Sequence, residues 1–250
     1  MSSKKLHIGT SGWSYKHWKG LFYPENLKLG EWFTFYSERF DTAEINSSFY
    51  RIPNPKMVEG WVAKAPKGFL FSVKLSRYIT HMKKLRDPEE ALERFFDVFA
   101  PLQKQMGPVL IQLPPMLKFH YDVAENFFTI LRKHYTGYEY VLEIRHTSWL
   151  EEESLTLMAK YDVGLVISQS GNVFPYSEAV TAKNVYVRFH GPGNLYASQY
   201  SDEQLEDCAS KFRKWIKEGH HVWAYFNNDV YGFAFQDAER LRTMLKDIYK

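Results

Sequence analysis

Eight short runs of β-branched and apolar residues recur along the 250-residue chain, separated by longer stretches of helical periodicity. They are Leu6 to Gly9, Thr42 to Asn46, Phe69 to Lys74, Val109 to Leu113, Tyr140 to Arg145, Val163 to Ser168, Val185 to His190 and Val222 to Asn227. A helix between two strands carries the chain back along the sheet, so the next strand pairs in parallel. Eight such units predict an α/β fold of the TIM type, a single (β/α)8 barrel over residues 1–250. A doubly wound sheet would more often stop at fewer strands and carry a glycine-rich phosphate turn. No GxGxxG or GxxxxGK(S/T) occurs.

Helix starts agree with this alternation. Asn54-Pro55, and Asp87-Pro88 with Glu90, place a capping side chain before a first-turn proline, and Ser201 with Gln204 makes a capping box. Between strands six and seven, SQSGNVFPYSEAVTAK holds Gly171, Pro175 and little periodicity, so one barrel helix is expected to be short or missing.

The charge balance is nearly even, 32 Lys and Arg against 29 Asp and Glu, so any charge-based function must be local. The single cysteine, Cys208, has Leu205, Phe212 and Trp215 at helical spacing and reads as a core residue rather than a nucleophile. No apolar run approaches the roughly 18 residues of a membrane span, and no apolar targeting stretch opens the chain. A reducing cytoplasm is the expected compartment, with no membrane contact.

Strand parity selects the candidate site, because residues alternate inward and outward and the inward ones at the carboxyl ends line the mouth. Glu44 shares a face with Asn46, Glu143 with Arg145, and Tyr186 with Arg188 and His190. Lys74, Gln112 and Asn227 close three further strands, while Ile45, Val73, Ile111, Ile144 and Phe189 on the opposite parity suit contact with helices. Burying this many ionic groups is a poor way to gain stability, which favours a site over a plugged core. Three cations against two carboxylates would welcome a phosphate or carboxylate. Glu44 and Glu143 are candidate acid and base groups, as at a glycosidic bond, with His190 as a third proton-transfer group. The plainer alternative leaves both glutamates salt-bridged and idle in proton transfer.

A metal held by Glu44, Glu143, His190 and Asp229 has no supporting motif such as HExxH, and nearby cations would repel it, so no metal or other cofactor is expected. His81 and His146 follow their strands toward the mouth; so does Asp229, where Asn227-Asn228-Asp229 would either orient hydroxyls or form an Asx turn. Trp13, Tyr15, Trp18, Phe49, Tyr50 and Trp149 also fall past strand ends, where rings either stack on a ligand or pack a loop. Trp13 and Tyr15 are the expected cover.

The segments IGTSGWSYKHWKGLFYP, EINSSFYRIP, VKLSRYITH, GPVLIQLPP, EIRHTSW, VYVRFHG and YFNND occur in this order across the chain. Together they closely resemble the domain of unknown function 72 family, also called the YecE-like family. The resemblance implies a barrel and carries no assigned catalytic residues. A looser likeness to endonuclease IV and the xylose isomerase group departs at the metal site, where this rim supplies too few ligands. The expected protein is a metal-independent barrel enzyme, a hydrolase, lyase or isomerase, acting on a small anionic or carbohydrate-like ligand. The alternatives are a nucleic-acid-binding barrel, with Lys16, Lys19, Lys83, Lys84 and Arg86 meeting phosphates, and a non-catalytic metabolite sensor.

Overall fold

The computed structural model describes residues 4–249. Eight parallel strands alternate with helices: β1 (Leu6–Thr10), α1 (Trp32–Ser37), β2 (Thr42–Ile45), α2 (Ser47–Tyr50), α3 (Pro55–Lys64), β3 (Leu70–Val73), α4 (Glu89–Phe99), β4 (Val109–Gln112), α5 (Tyr121–His134) and β5 (Tyr140–Glu143). There follow α6 (Glu152–Lys160), β6 (Val163–Gln169), β7 (Asn184–Phe189), α7 (Asp202–Lys217), β8 (His221–Phe226) and α8 (Phe233–Met244). Six strands pair in the order β1-β8-β7-β6-β5-β4, and β2 with β3 forms a separate two-stranded sheet.

Two seams join these sheets. At one, Gly107 N–H donates to Phe71 O and Leu75 N–H to Leu110 O, each at 2.8 Å, bringing β3 beside β4. At the other, the Tyr36 hydroxyl accepts from Thr10 N–H at 3.0 Å and donates to Thr42 O at 2.9 Å. Gly9 is required there, since a Cβ on it would lie 2.2 Å from Thr42 O.

Parity divides the core as the strand pattern predicts. Ile45, Val73, Ile111, Ile144 and Phe189 join the large cluster shared with the helices, whereas Leu110, Val141, Val166, Tyr186, Trp223 and Tyr225 pack together on the other face. Asn54 caps α3 by accepting from Lys56 N–H, and Ser201 with Gln204 closes its capping box on α7. Cys208 is buried on the same face of α7 as Leu205, Phe212 and Trp215. No helix lies between β6 and β7. Asp87 departs from expectation: it takes a left-handed φ of 41° and α4 begins at Glu89 without a side-chain cap. Its carboxylate does not reach the helix start because the backbone turns there. No described helix is long and apolar enough to cross a membrane.

Candidate functional site

The carboxyl ends of β2, β5 and β7 bring Glu44, Glu143 and Arg188 into one buried ion lattice. Arg188 grips Glu44 with two prongs, Nη2 to Oε1 at 2.7 Å and Nε to Oε2 at 2.9 Å, and reaches Glu143 Oε2 with Nη1 at 2.7 Å. Glu44 also accepts from Ser11 Oγ, Asn46 Nδ2 and Tyr186 OH. Glu143 Oε1 accepts from Ser168 Oγ, Arg145 Nη2 and His190 Nε2. Both glutamates are fully buried. Burial alone would raise their pKa values, yet the Arg188 charge and hydrogen bonds hold Glu44 below its ordinary range, and Arg145 with Arg188 hold Glu143 well below.

His190 is neutral at physiological pH, because burial lowers its pKa to about 4 despite its contact with Glu143. Glu143, ionised, only accepts, so His190 carries its proton on Nε2 and its unprotonated Nδ1 accepts from Asn227 Nδ2 at 3.3 Å. Gly191, at φ 103°, turns the chain sharply after this residue. Phe174 and Tyr196, from the loops after β6 and β7, stand edge-on to the imidazole. Phe174 also lies 3.3 Å from the Arg145 guanidinium.

Lys74 follows β3 with only 7% of its surface exposed. Its Nζ donates to the neutral Gln112 Oε1 at 2.8 Å and sits 4.0 Å from the Phe49 ring centre. No described carboxylate is within ion-pair range. Burial first, and the Arg188 charge second, bring its pKa down to about 7. His81 lies on a π-turn, Tyr78–Met82, edge-on to Phe49, and burial together with the Lys74 charge keeps it neutral with a pKa of about 4. Two buried polar atoms beside the lattice have no partner, Arg145 Nη1 and Asn46 Oδ1.

The structure thus places Glu44, Asn46, Lys74, Gln112, Glu143, Arg145, Arg188, His190 and Asn227 at or just past the carboxyl ends of their strands, with His81 near Lys74. Other candidates lie apart. His146 Nδ1 accepts from Ser148 N–H at the start of a short 3-10 turn, and no hydrogen bond among the described residues joins it to the lattice. Asp229 is held by His17 Nε2 at 2.9 Å and Trp18 Nε1 at 2.8 Å, so it ties the loop after β1 to the loop after β8. Trp13 packs with Phe33, Trp61 and Phe71, whereas Tyr15 stands beside the lattice, its hydroxyl donating to Ser11 O and its ring against Trp18. Trp18 and Trp149 are buried, which removes them from the rim; among the six rings only Tyr50 is strongly exposed, at 73%. Tyr186 joins the lattice from the face that parity gives it, and Ser11 and Ser168 are members beyond the expected set, although parity alone also puts Ser168 on the inward face.

Among the described residues no group of three or more His, Cys, Asp and Glu side chains is placed to hold a metal ion. The acidic and histidine groups that do converge are already engaged by arginines and hydroxyls.

Comparison with known proteins gives a consistent family and fold. UPF0759 protein YunF of Bacillus subtilis is 26% identical over 96% of this chain and 94% of its own length. The crystal structure of a DUF72 family protein from Thermotoga maritima superposes with a TM-score of 0.86 at 28% identity, covering 96% of this chain and 99% of that one. A xylose isomerase domain containing protein from Salmonella typhimurium shares the fold more loosely, with a TM-score of 0.53 at 9% identity over 99% of this chain and 96% of that one. The family described as "Protein of unknown function DUF72" matches residues 7–250, and the chain belongs to that family.

Proposed function

We propose that the two sheets act as one eight-stranded barrel, in a single domain, whose mouth binds a small anionic metabolite and transforms it. The observation that carries this reading is the buried, unpartnered Arg145 Nη1. A buried guanidinium donor without an acceptor loses hydration for no return, and a phosphate or carboxylate oxygen is its natural complement. The same site holds Lys74 with no described carboxylate in ion-pair range, and the unpartnered Asn46 Oδ1 supplies a neutral acceptor for a hydroxyl group.

In this reading the glutamates position rather than exchange protons. Glu44 fixes Arg188, and Glu143 fixes the Nε2–H tautomer of His190, whose unprotonated Nδ1 is the proton acceptor. Glycoside hydrolysis by a paired acid and base draws little support, because it needs one carboxyl protonated near neutrality while both are held ionised. Titration with phosphate, sugar phosphates and dicarboxylates in a thermal-shift assay tests the proposal. A raised midpoint with anions and none with neutral sugars is expected; the reverse pattern sinks it.

A second reading has one specific observation behind it. Residues 47–118 hold twelve Lys and Arg against six Asp and Glu. Beside the mouth, a cleft of about 890 Å³ is lined by Arg51, Lys83, Arg94, Met57 and Tyr78, among others. Arg51 and Arg94 have no ionic partner among the described residues. Salt-dependent retention of random single-stranded oligonucleotides would favour nucleic-acid binding here, and its absence at low salt removes it.

A further inference from the structure

We propose that Lys74 is a nucleophilic amine that forms an imine with the carbonyl group of a small anionic aldehyde or ketone bound in the mouth. The substrate class rests on the anion-site reading above; the amine chemistry rests on Lys74 itself. Its Nζ sits at the carboxyl end of a strand, enclosed by Phe49 on one side and the Gln112 amide on the other. An ordinary buried lysine is neutralised by a carboxylate, and this one has none in range. Burial is the main force against its protonation, Arg188 and Arg145 add to it, and Glu143 and Glu44 offset it in part, leaving the pKa at about 7 and a large share of free amine at neutral pH. Desolvation and a neighbouring cation are the two environments that turn a lysine into a carbonyl nucleophile. Arg145, with its free buried donor, stands ready for the anionic end of the same molecule.

The step balances without an external oxidant or reductant. The Nζ lone pair forms a C–N bond as the carbonyl π electrons move to oxygen; nitrogen then loses one proton and oxygen gains one, giving a carbinolamine. The C–O bond breaks as the nitrogen pair forms C=N, and oxygen leaves as water with one proton taken from solvent. One iminium and one water result.

The test is reductive trapping. The protein is incubated with sodium cyanoborohydride and, in separate arms, dihydroxyacetone phosphate, pyruvate or neutral glyceraldehyde, then mapped by peptide mass spectrometry. The expected result is a single adduct on Lys74, formed on the order of tenfold or more faster than on any surface lysine at pH 7, where ordinary lysines are almost wholly protonated. Lys74→Arg keeps the charge and abolishes that adduct. Adducts spread over exposed lysines, with Lys74 untouched, overturn the proposal. The two readings separate cleanly: if anions raise the thermal midpoint but no carbonyl labels Lys74, the imine fails alone. If glyceraldehyde labels Lys74 as well as the phosphorylated probe does, the imine stands and the anion reading falls.

Discussion

Replacing Arg188 by Met removes the only cation among the described residues that touches Glu44. In the native protein Glu44 accepts five hydrogen bonds, two of them from Arg188. Glu143 keeps Arg145 and His190, so the loss falls mainly on Glu44. Breaking a buried ion pair by deleting one partner costs about 3–5 kcal/mol. For a chain of this size each kcal/mol moves the thermal midpoint by roughly 2–4 °C, which predicts a drop of about 6–20 °C at pH 7. The pH dependence is the sharper readout. With Arg188 present, Glu44 has a depressed folded-state pKa, so its stabilisation is present above the ordinary value of 4.5 and is lost as pH falls through the folded value. Without Arg188, burial raises that pKa above 4.5, so the folded variant takes up a proton before the unfolded chain does and gains stability from pH 7 to pH 5. The gap between the two proteins must therefore narrow on acidification. Guanidinium unfolding at pH 7, 6 and 5 measures it, and a gap that stays constant or widens would refute the assignment. Combining Arg188→Met with Glu44→Leu removes the stranded charge and is expected to recover most of the loss.

Further outcomes follow from neighbouring features. Arg145→Ala should abolish the midpoint rise produced by phosphate or sugar phosphates in thermal shift; an undiminished rise would place the anion elsewhere. The His190 ring resonances should stay fixed between pH 8 and 5 in NMR and move only near pH 4, whereas a midpoint near 6.5 contradicts its buried neutral state. Since the folded pKa of His190 is depressed, its contribution to stability is lost as pH falls from 6.5 toward 4. Gly9→Ala should lower stability by about 1–3 kcal/mol through the clash with Thr42 O, and Thr42→Ser should not rescue it because the obstruction is backbone. An unchanged midpoint would show that the seam between β1 and β2 can open freely.

Strand positions and the inward set were legible because both follow from one periodicity. Glu44, Glu143, Arg188 and His190 alternate with Ile45, Ile144 and Phe189, so residue type and face agree along each strand. What resisted reading was chemistry without periodicity. Phe174 and Tyr196 come from loops, where no spacing announces which way a ring points, and serines at positions 11 and 168 resemble any other serine until a carboxylate lies beside them. The loop rings misled for a related reason: Trp18 and Trp149 follow strands just as Tyr50 does, and only the packing of the loops buries the first two. Asp87 failed as a cap because the backbone before it turns left-handed, at Lys84 and Leu85 as well as at Asp87 itself. The partnerless state of Arg145 Nη1 is a three-dimensional absence, which no residue pattern encodes.

The pairing of β1 with β8 sets a timetable for assembly. Leu6 lies opposite Val222, so β1 stays unpaired on that edge until β8 is in place. Contacts between such distant segments form slowly, because the intervening chain must first be organised. The lattice inherits this order: Glu44 precedes Arg188, which neutralises it, by more than half of the chain. Until Arg188 docks, Glu44 has no guanidinium to offset its desolvation, so burying the charged site depends on contacts made across that span.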